Sequence, residues 1–225
     1  MPVDSMHPDT EHLLADIAEE TRQTRFLTGI GELDDRVMSA MAEVPRHAFV
    51  PQELHSRAYD NGPLPIGHGQ TISQPFIVAL MTALLQPETH HKVLEVGAGS
   101  GYQAAVLSKL VKQVYTVEIV EPLATAAGER LKKLGYGNVE VRCGDGYRGW
   151  PEHAPFDGIL VAAAAPHVPQ PLLDQLKPGG KLVIPVGQPY SAQELLLIDK
   201  LDSGELRQRS VLPVAFVPLT GSLGH

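Results

Sequence analysis

Three glycines and two carboxylates are the residues of this chain whose types and spacing could do chemistry. Gly97, Gly99 and Gly101 close the stretch Val93-Leu94-Glu95-Val96-Gly97-Ala98-Gly99-Ser100-Gly101-Tyr102, an apolar run followed at once by helix-forming Gln103-Ala104-Ala105-Val106-Leu107. A strand, a tight turn and a helix are predicted there. Glycine suits such a turn because it reaches positive φ and lets a ligand approach the backbone more closely than any Cβ allows. The helix start then offers unpaired N–H groups to a polar ligand. By itself the loop is also what a buried strand needs in order to turn into its helix, so the neighbouring strands must decide. The strand Gln113 to Glu118 ends in an acid about twenty residues on, where a nucleotide-binding βαβ unit places a carboxylate on ribose hydroxyls. The strand Val139 to Cys143 runs into Gly144-Asp145-Gly146. Three ligand-facing positions at successive strand ends arise by accident far less readily than one.

The spacing also separates cofactors. A dinucleotide fingerprint wants glycine at the sixth position of G-x-G-x-x-G, where this chain has Tyr102, and the glycines run G-x-G-x-G instead. With Glu95 two residues before the first glycine, the loop resembles that of S-adenosylmethionine-dependent methyltransferases of the Rossmann-like class, with Ser100 inside it.

The elements around the loop follow from periodicity. Leu13, Leu14, Ile17 and Ala18 lie at helical spacing within 11–30, and Leu33, Val37, Met38 and Met41 repeat the pattern within 32–43. Pro45 ends the second helix. The segment 45–70, rich in Pro, Gly and His, is long for a loop inside a compact domain, and its Phe49, Val50, Leu54, Tyr59, Leu64 and Ile66 predict packed order. Pro75 suits a first helical turn, and a helix is expected to about Leu85, with Ser73 as its N-cap in the plainest reading. From Lys92 the chain alternates: helix 102–111, strand 113–118, helix 121–134, strands 138–143 and 156–161, helix 169–176, strand 180–186. That is a doubly wound, mostly parallel sheet. Runs 193–200 and 206–217, joined by Asp202-Ser203-Gly204, predict a closing hairpin.

Composition bounds what such a fold could do. At 225 residues and 43% hydrophobic content one α/β domain is expected. Its parts are N-terminal helices and a covering segment over 10–90, a cofactor-binding core over 91–187 and a hairpin and tail over 188–225. A net charge of −8, without any Lys/Arg run, argues against nucleic-acid phosphate as the main partner. The single cysteine, Cys143, is expected to be a buried strand residue and fits a reducing cytoplasm. The ten histidines form neither H-x-H nor H-E-x-x-H, so no metal is expected. Without a leader pattern or a membrane-length apolar run, the expectation is a cytoplasmic monomer off the membrane.

Four further strings carry a more specific resemblance: Val44-Pro45-Arg46-His47-Ala48-Phe49-Val50-Pro51, Gly69-Gln70-Thr71-Ile72-Ser73-Gln74-Pro75, Gly144-Asp145-Gly146-Tyr147-Arg148-Gly149-Trp150 and Leu182-Val183-Ile184-Pro185-Val186-Gly187. Together, over about 10–220, they resemble the protein-L-isoaspartate (D-aspartate) O-methyltransferases. Phe76 and Ala162-Ala163-Ala164-Ala165-Pro166 depart from the family's usual residues. The resemblance implies a repair enzyme that moves a methyl group from S-adenosylmethionine to the free α-carboxylate of L-isoaspartyl residues, and of D-aspartyl residues, in damaged proteins and peptides. It further implies that Gly97, Gly99 and Gly101 take the methionine end of the cofactor, Glu118 the ribose, and Asp145 with Gly146 the adenine. Glu95, Ser100, Thr71 and Ile72 are further cofactor contacts, the last two directly before the active-site residue Ser73, which bonds the substrate carboxylate, and Thr220 is a contact from the terminal segment near the pocket.

Such chemistry needs few side chains. A carboxylate with a pKa near 4 is ionised at pH 7 and needs no general base, so Asp157 on the fourth strand is read as structural. Two other classes stay open on the same scaffold: a module that binds the cofactor without turning it over, against which the Ser73 segment speaks, and a nicotinamide or small-molecule enzyme, against which Tyr102 speaks.

Overall fold

A computed structural model describes residues 7–188 and 191–221. Helix α1 (Thr10–Thr28) buries Leu13, Ile17 and Thr21 one turn apart and stops at Gly29, whose φ of 76° a side-chain-bearing residue resists. Helix α2 (Asp35–Glu43) starts on Asp34, whose carboxylate accepts from the Arg36 N–H at 2.8 Å, and buries Val37, Ala40 and Met41. The 45–70 segment is ordered by 3₁₀ turns at Arg46–Phe49 and Gln52–Arg57 and by the hairpin of β1 (Leu64–Gly67) with β2 (Gln70–Ile72). Helix α3 (Pro75–Leu85) is buried on almost every side, as its apolar sequence requires.

The core alternates as expected: β3 (Lys92–Val96), α4 (Tyr102–Ser108), β4 (Gln113–Glu118), α5 (Glu121–Lys133), β5 (Val139–Cys143), β6 (Phe156–Val161), α6 (Gln170–Gln175), β7 (Leu176–Gly187), β8 (Gln193–Lys200) and β9 (Leu206–Val214). The sheet order is β5-β4-β3-β6-β7-β8-β9, parallel up to β7, with β8 and β9 added antiparallel as the predicted hairpin. Side chains alternate between two cores. Val93, Leu160, Val183, Leu195 and Leu197 pack with α1–α4, and Leu94, Ile159, Val161, Leu182, Ile184, Leu196 and Ile198 pack on the face bearing Leu172 of α6. Burial on both faces is why the central strands read as continuous apolar runs. The chain winds outward through β4 and β5 and returns to β6 beside β3. The C-terminal ends of β3 and β6 therefore flank the topological switch point, where open α/β sheets bind ligands.

Several boundaries differ from expectation, each for a local reason. Helix α4 stops at Ser108, and the predicted remainder to 111 closes as a turn, with Lys109 N–H donating to Val106. β7 begins at Leu176, because Phe156 pairs with Leu176 before a register break. β9 ends at Val214, short of 217, because the Gln193 side chain exchanges two hydrogen bonds with the backbone of Phe216 in place of a ladder. From there the tail crosses to β6, where Ala164 N–H donates to Val217 O and Leu219 N–H to Ala164 O, both at 2.8 Å. Cys143 is exposed, not buried: β5 is the outermost strand and nothing covers its last residue. Asp157 is structural, joining the Lys92 N–H at 2.8 Å and Lys177 Nζ at 2.7 Å.

Candidate active site

The glycine turn sits at the switch point. Gly97 (φ 93°) donates to Val117 O at 2.8 Å, and Gly99 (φ 52°) donates to Glu118 Oε2 at 2.8 Å. Glu118 is nearly buried at the end of β4, and its Oε1 accepts from Val120 N–H at 3.0 Å. Each carboxylate oxygen thus spends one acceptor position on the backbone and keeps another for a ligand. Gly101 serves packing: a Cβ there would meet Leu131 Cδ1 at 3.1 Å, and at φ 89° the residue starts α4.

Gly97, Gly99 and Glu118 line a cavity of about 740 Å³, counting its open mouth. Of the residues singled out in the sequence, Thr71, Ile72, Ser73, Glu95, Gly97, Gly99, Ser100, Glu118, Gly146 and Thr220 lie in its wall. Gly101 and Asp145 lie outside it. Asp145 instead accepts from the Tyr147 N–H at 3.0 Å and so shapes the turn that presents Gly146. Glu95 is fully buried, with Oε2 accepting from the Thr116 hydroxyl and Oε1 without a hydrogen-bond partner among the described residues. Burial pushes its pKa from 4.5 up to about 8, the Thr116 bond opposes the rise and the Glu118 charge adds to it. Burial thus favours the neutral acid form of Glu95 at the cavity wall.

A second cavity, about 1100 Å³ with its open mouth counted in the same way, opens beside the first, between the start of α3 and the segment 212–217. Thr71, Ser73, Ala162 and Val217 line both. Ser73 stands at the junction, half-buried, and its hydroxyl bonds to none of the described residues. It is not the helix cap of the plainest reading: the N-cap is Gln74, and the Phe76 N–H is satisfied at 3.0 Å by Asn61 Oδ1. Gln74 and Asn61 both donate to Glu20 Oε2, at 2.9 and 2.8 Å.

Sequence reasoning missed Glu20 and Asn61, which carry no local signal. It used Tyr102 and Ala162 only as departures from patterns, although both line the first cavity. The position of Ala162 at the end of β6 was available from strand order alone. Among the described residues no group of three or more His, Cys, Asp or Glu is placed to hold a metal, and no helix is long and apolar enough to cross a membrane.

The sequence model of the protein-L-isoaspartate(D-aspartate) O-methyltransferases matches residues 17–224. The chain belongs to that family. A protein-L-isoaspartate O-methyltransferase 2 of Syntrophobacter fumaroxidans is 60% identical over 213 residues, covering 95% of this chain and 85% of its own length. Another from a Polaromonas species is also 60% identical, covering 93% of this chain and 99% of its own length. Among solved structures, a protein-L-isoaspartate O-methyltransferase superposes with a TM-score of 0.82 at 31% identity, covering 96% of this chain and 67% of the other. A putative family member from Plasmodium falciparum, in complex with S-adenosyl-L-homocysteine, gives 0.75 at 26% identity over 95% of this chain and 99% of its own. The α/β fold with a doubly wound, Rossmann-like sheet is thus shared with methyltransferases.

Proposed function

We propose that this family member methylates the α-carboxylate of L-isoaspartyl residues in damaged proteins, using S-adenosylmethionine held at the glycine turn. The observation that carries the reading is the meeting of two cavities at a serine whose hydroxyl is unengaged. The first cavity fits the cofactor on features of this chain. Its turn has the positive φ values that keep Cβ atoms away, Glu118 retains acceptor positions for ribose hydroxyls, and Glu95 Oε1 is an unpartnered polar atom at the wall. Gly97, Gly99 and Ser100 would hold the methionine end, with Gly101 fixing the turn against α5. Gly146, presented by Asp145, and Thr220 would flank the adenine. When bound, the cofactor supplies a methyl group activated by a positive sulfur.

The rest is alignment. An isoaspartyl α-carboxylate is already ionised at pH 7, so no residue has to remove a proton. Ser73 donates its hydroxyl hydrogen to that carboxylate, and the second cavity, walled by Pro213, Val214 and Phe216, receives the flanking peptide. Fixing both reactants in line recovers about 7–11 kcal/mol of the barrier. D-Aspartyl residues, whose carboxylate hangs from Cβ but whose inverted Cα turns it to another side of the chain than in L-aspartyl, are secondary substrates on this reading. The lone Cys143 supports a reducing, cytoplasmic setting.

An aspartyl peptide would carry its carboxylate one methylene too far out, and a misplacement of about 1 Å costs on the order of 10²-fold in rate. Purified protein with cofactor and matched peptides tests this by mass spectrometry. Methyl ester should form on the isoaspartyl peptide and almost none on its aspartyl isomer. Comparable methylation of both, or of neither, refutes the assignment.

A further inference from the structure

Arg46 is a buried charge beside the site that has no part in the cofactor and substrate contacts. It opens the 3₁₀ turn 46–49 and is fully buried, yet among the described residues no carboxylate pairs with it. Its Nε and Nη1 have no hydrogen-bond partner among the described residues within bonding distance and angle. Nη2 grips the main chain, donating to Ser73 O at 2.7 Å and to Gly62 O at 3.3 Å. The guanidinium lies over the Tyr102 ring, its Cζ 4.8 Å from the centroid. Burial lowers its pKa, with the Tyr102 phenol opposing the change. A cation without a counter-ion is among the costliest groups to bury, and a methionine would fill the same space without that cost.

We propose that Arg46 is a positioning residue for methyl transfer, holding the Ser73 main chain in register with the glycine turn. This rests on the reading of Ser73 as the group that orients the substrate carboxylate. Tyr102 follows Gly101 directly and lines the first cavity, whereas Ser73 borders both. The guanidinium therefore touches the two walls that must keep their separation when methyl donor and acceptor are in line. Around Ser73 the chain is tied at three points: Ser73 O by Arg46, the Gln74 side chain by Glu20, and Phe76 N–H by Asn61. The first of these fixes the peptide plane at Ser73 itself and so the direction of its Cα–Cβ bond, from which the hydroxyl turns. The hydroxyl stays unengaged while its backbone is immobilised, the pattern of a side chain organised before its ligand arrives.

Arg46→Met keeps the apolar volume alone, and Arg46→Lys keeps the charge with one donor for the Ser73 carbonyl. Steady-state kinetics on an isoaspartyl peptide, with calorimetric titration of S-adenosylhomocysteine, tests both beside Ser73→Ala. A loss of registration predicts kcat about 100-fold lower in Arg46→Met and about tenfold lower in Arg46→Lys, with product affinity within about threefold of wild type. Wild-type kcat in both variants overturns the proposal whatever the melting temperature does, and so does a kcat loss matched by an equal loss of product affinity. Should Arg46→Met fail to fold, Arg46→Lys decides by the same two criteria. Slow Ser73→Ala beside normal Arg46 variants refutes the role of Arg46 alone; wild-type turnover in Ser73→Ala refutes the Ser73 reading on which it stands.

Discussion

Replacing Glu95 by glutamine should make the protein more stable above neutral pH, by an amount the structure allows one to work out. Glu95 lies on β3 with no exposed surface; the Thr116 hydroxyl on β4 bonds one oxygen, nothing bonds the other, and Glu118 adds a like charge nearby. Burial is the main reason its pKa rises from 4.5 to about 8. The folded state then holds a proton that the unfolded chain has released, so stability falls as pH rises through the interval between those two values and levels off above the upper one. Integrated from pH 6 to pH 8, the loss is about 2 kcal/mol. Glutamine keeps the acceptor for Thr116 and cannot ionise. The stability difference, Glu95→Gln minus wild type, should therefore grow by about 2 kcal/mol over that range, a divergence in Tm of about 4–8 °C for a chain of this size. Histidines titrating in the same interval act on both proteins and cancel. Urea unfolding at half-unit pH steps measures the difference directly. Parallel profiles from pH 6 to pH 8 would show Glu95 ionised or hydrated in the folded protein, and the burial argument would be wrong.

Two substitutions test the cofactor wall. Gly99→Val places a β-branched residue at φ 52°, with its Cβ 3.4 Å from Ile66 Cδ1, which should abolish S-adenosylmethionine binding while the fold survives; unchanged calorimetric affinity in a folded variant removes the turn from the site. Glu118→Ala removes a charged acceptor and frees the Gly99 and Val120 N–H groups, so binding should weaken by about 1.5–3 kcal/mol, or about 10- to 150-fold in Kd. An unmoved Kd would make Glu118 a loop brace only.

How much of this protein could be read from its residues depends on how far each requirement reaches along the chain. The β3–turn–α4 unit was legible because period, glycine φ and helix start are all settled within about ten residues. The strand end at Glu118 and the turn after β5 that carries Gly146 followed from the βαβ repeat, which places successive C-terminal ends on one edge. Only the tertiary structure decided which of these residues line the cavity. Gly101 turned out to pack on Leu131, and Asp145 to cap its own turn. Ser73 was a helix cap in the plainest reading, before the family resemblance made it the active-site residue, because capping is normally local. Asn61 does that work from across a loop, and no sequence period announces such a bond. The exposed end of β5 left Cys143 in solvent, since strand order, which fixes edges, is a property of the whole sheet. Arg46 is the clearest case. Its sequence neighbours describe an ordinary 3₁₀ turn, and burial against Tyr102 with a grip on Ser73 arises only when segments 27 residues apart meet in the fold. Local conformational demands are written in neighbouring residues, whereas burial and long-range hydrogen bonding belong to the assembled chain.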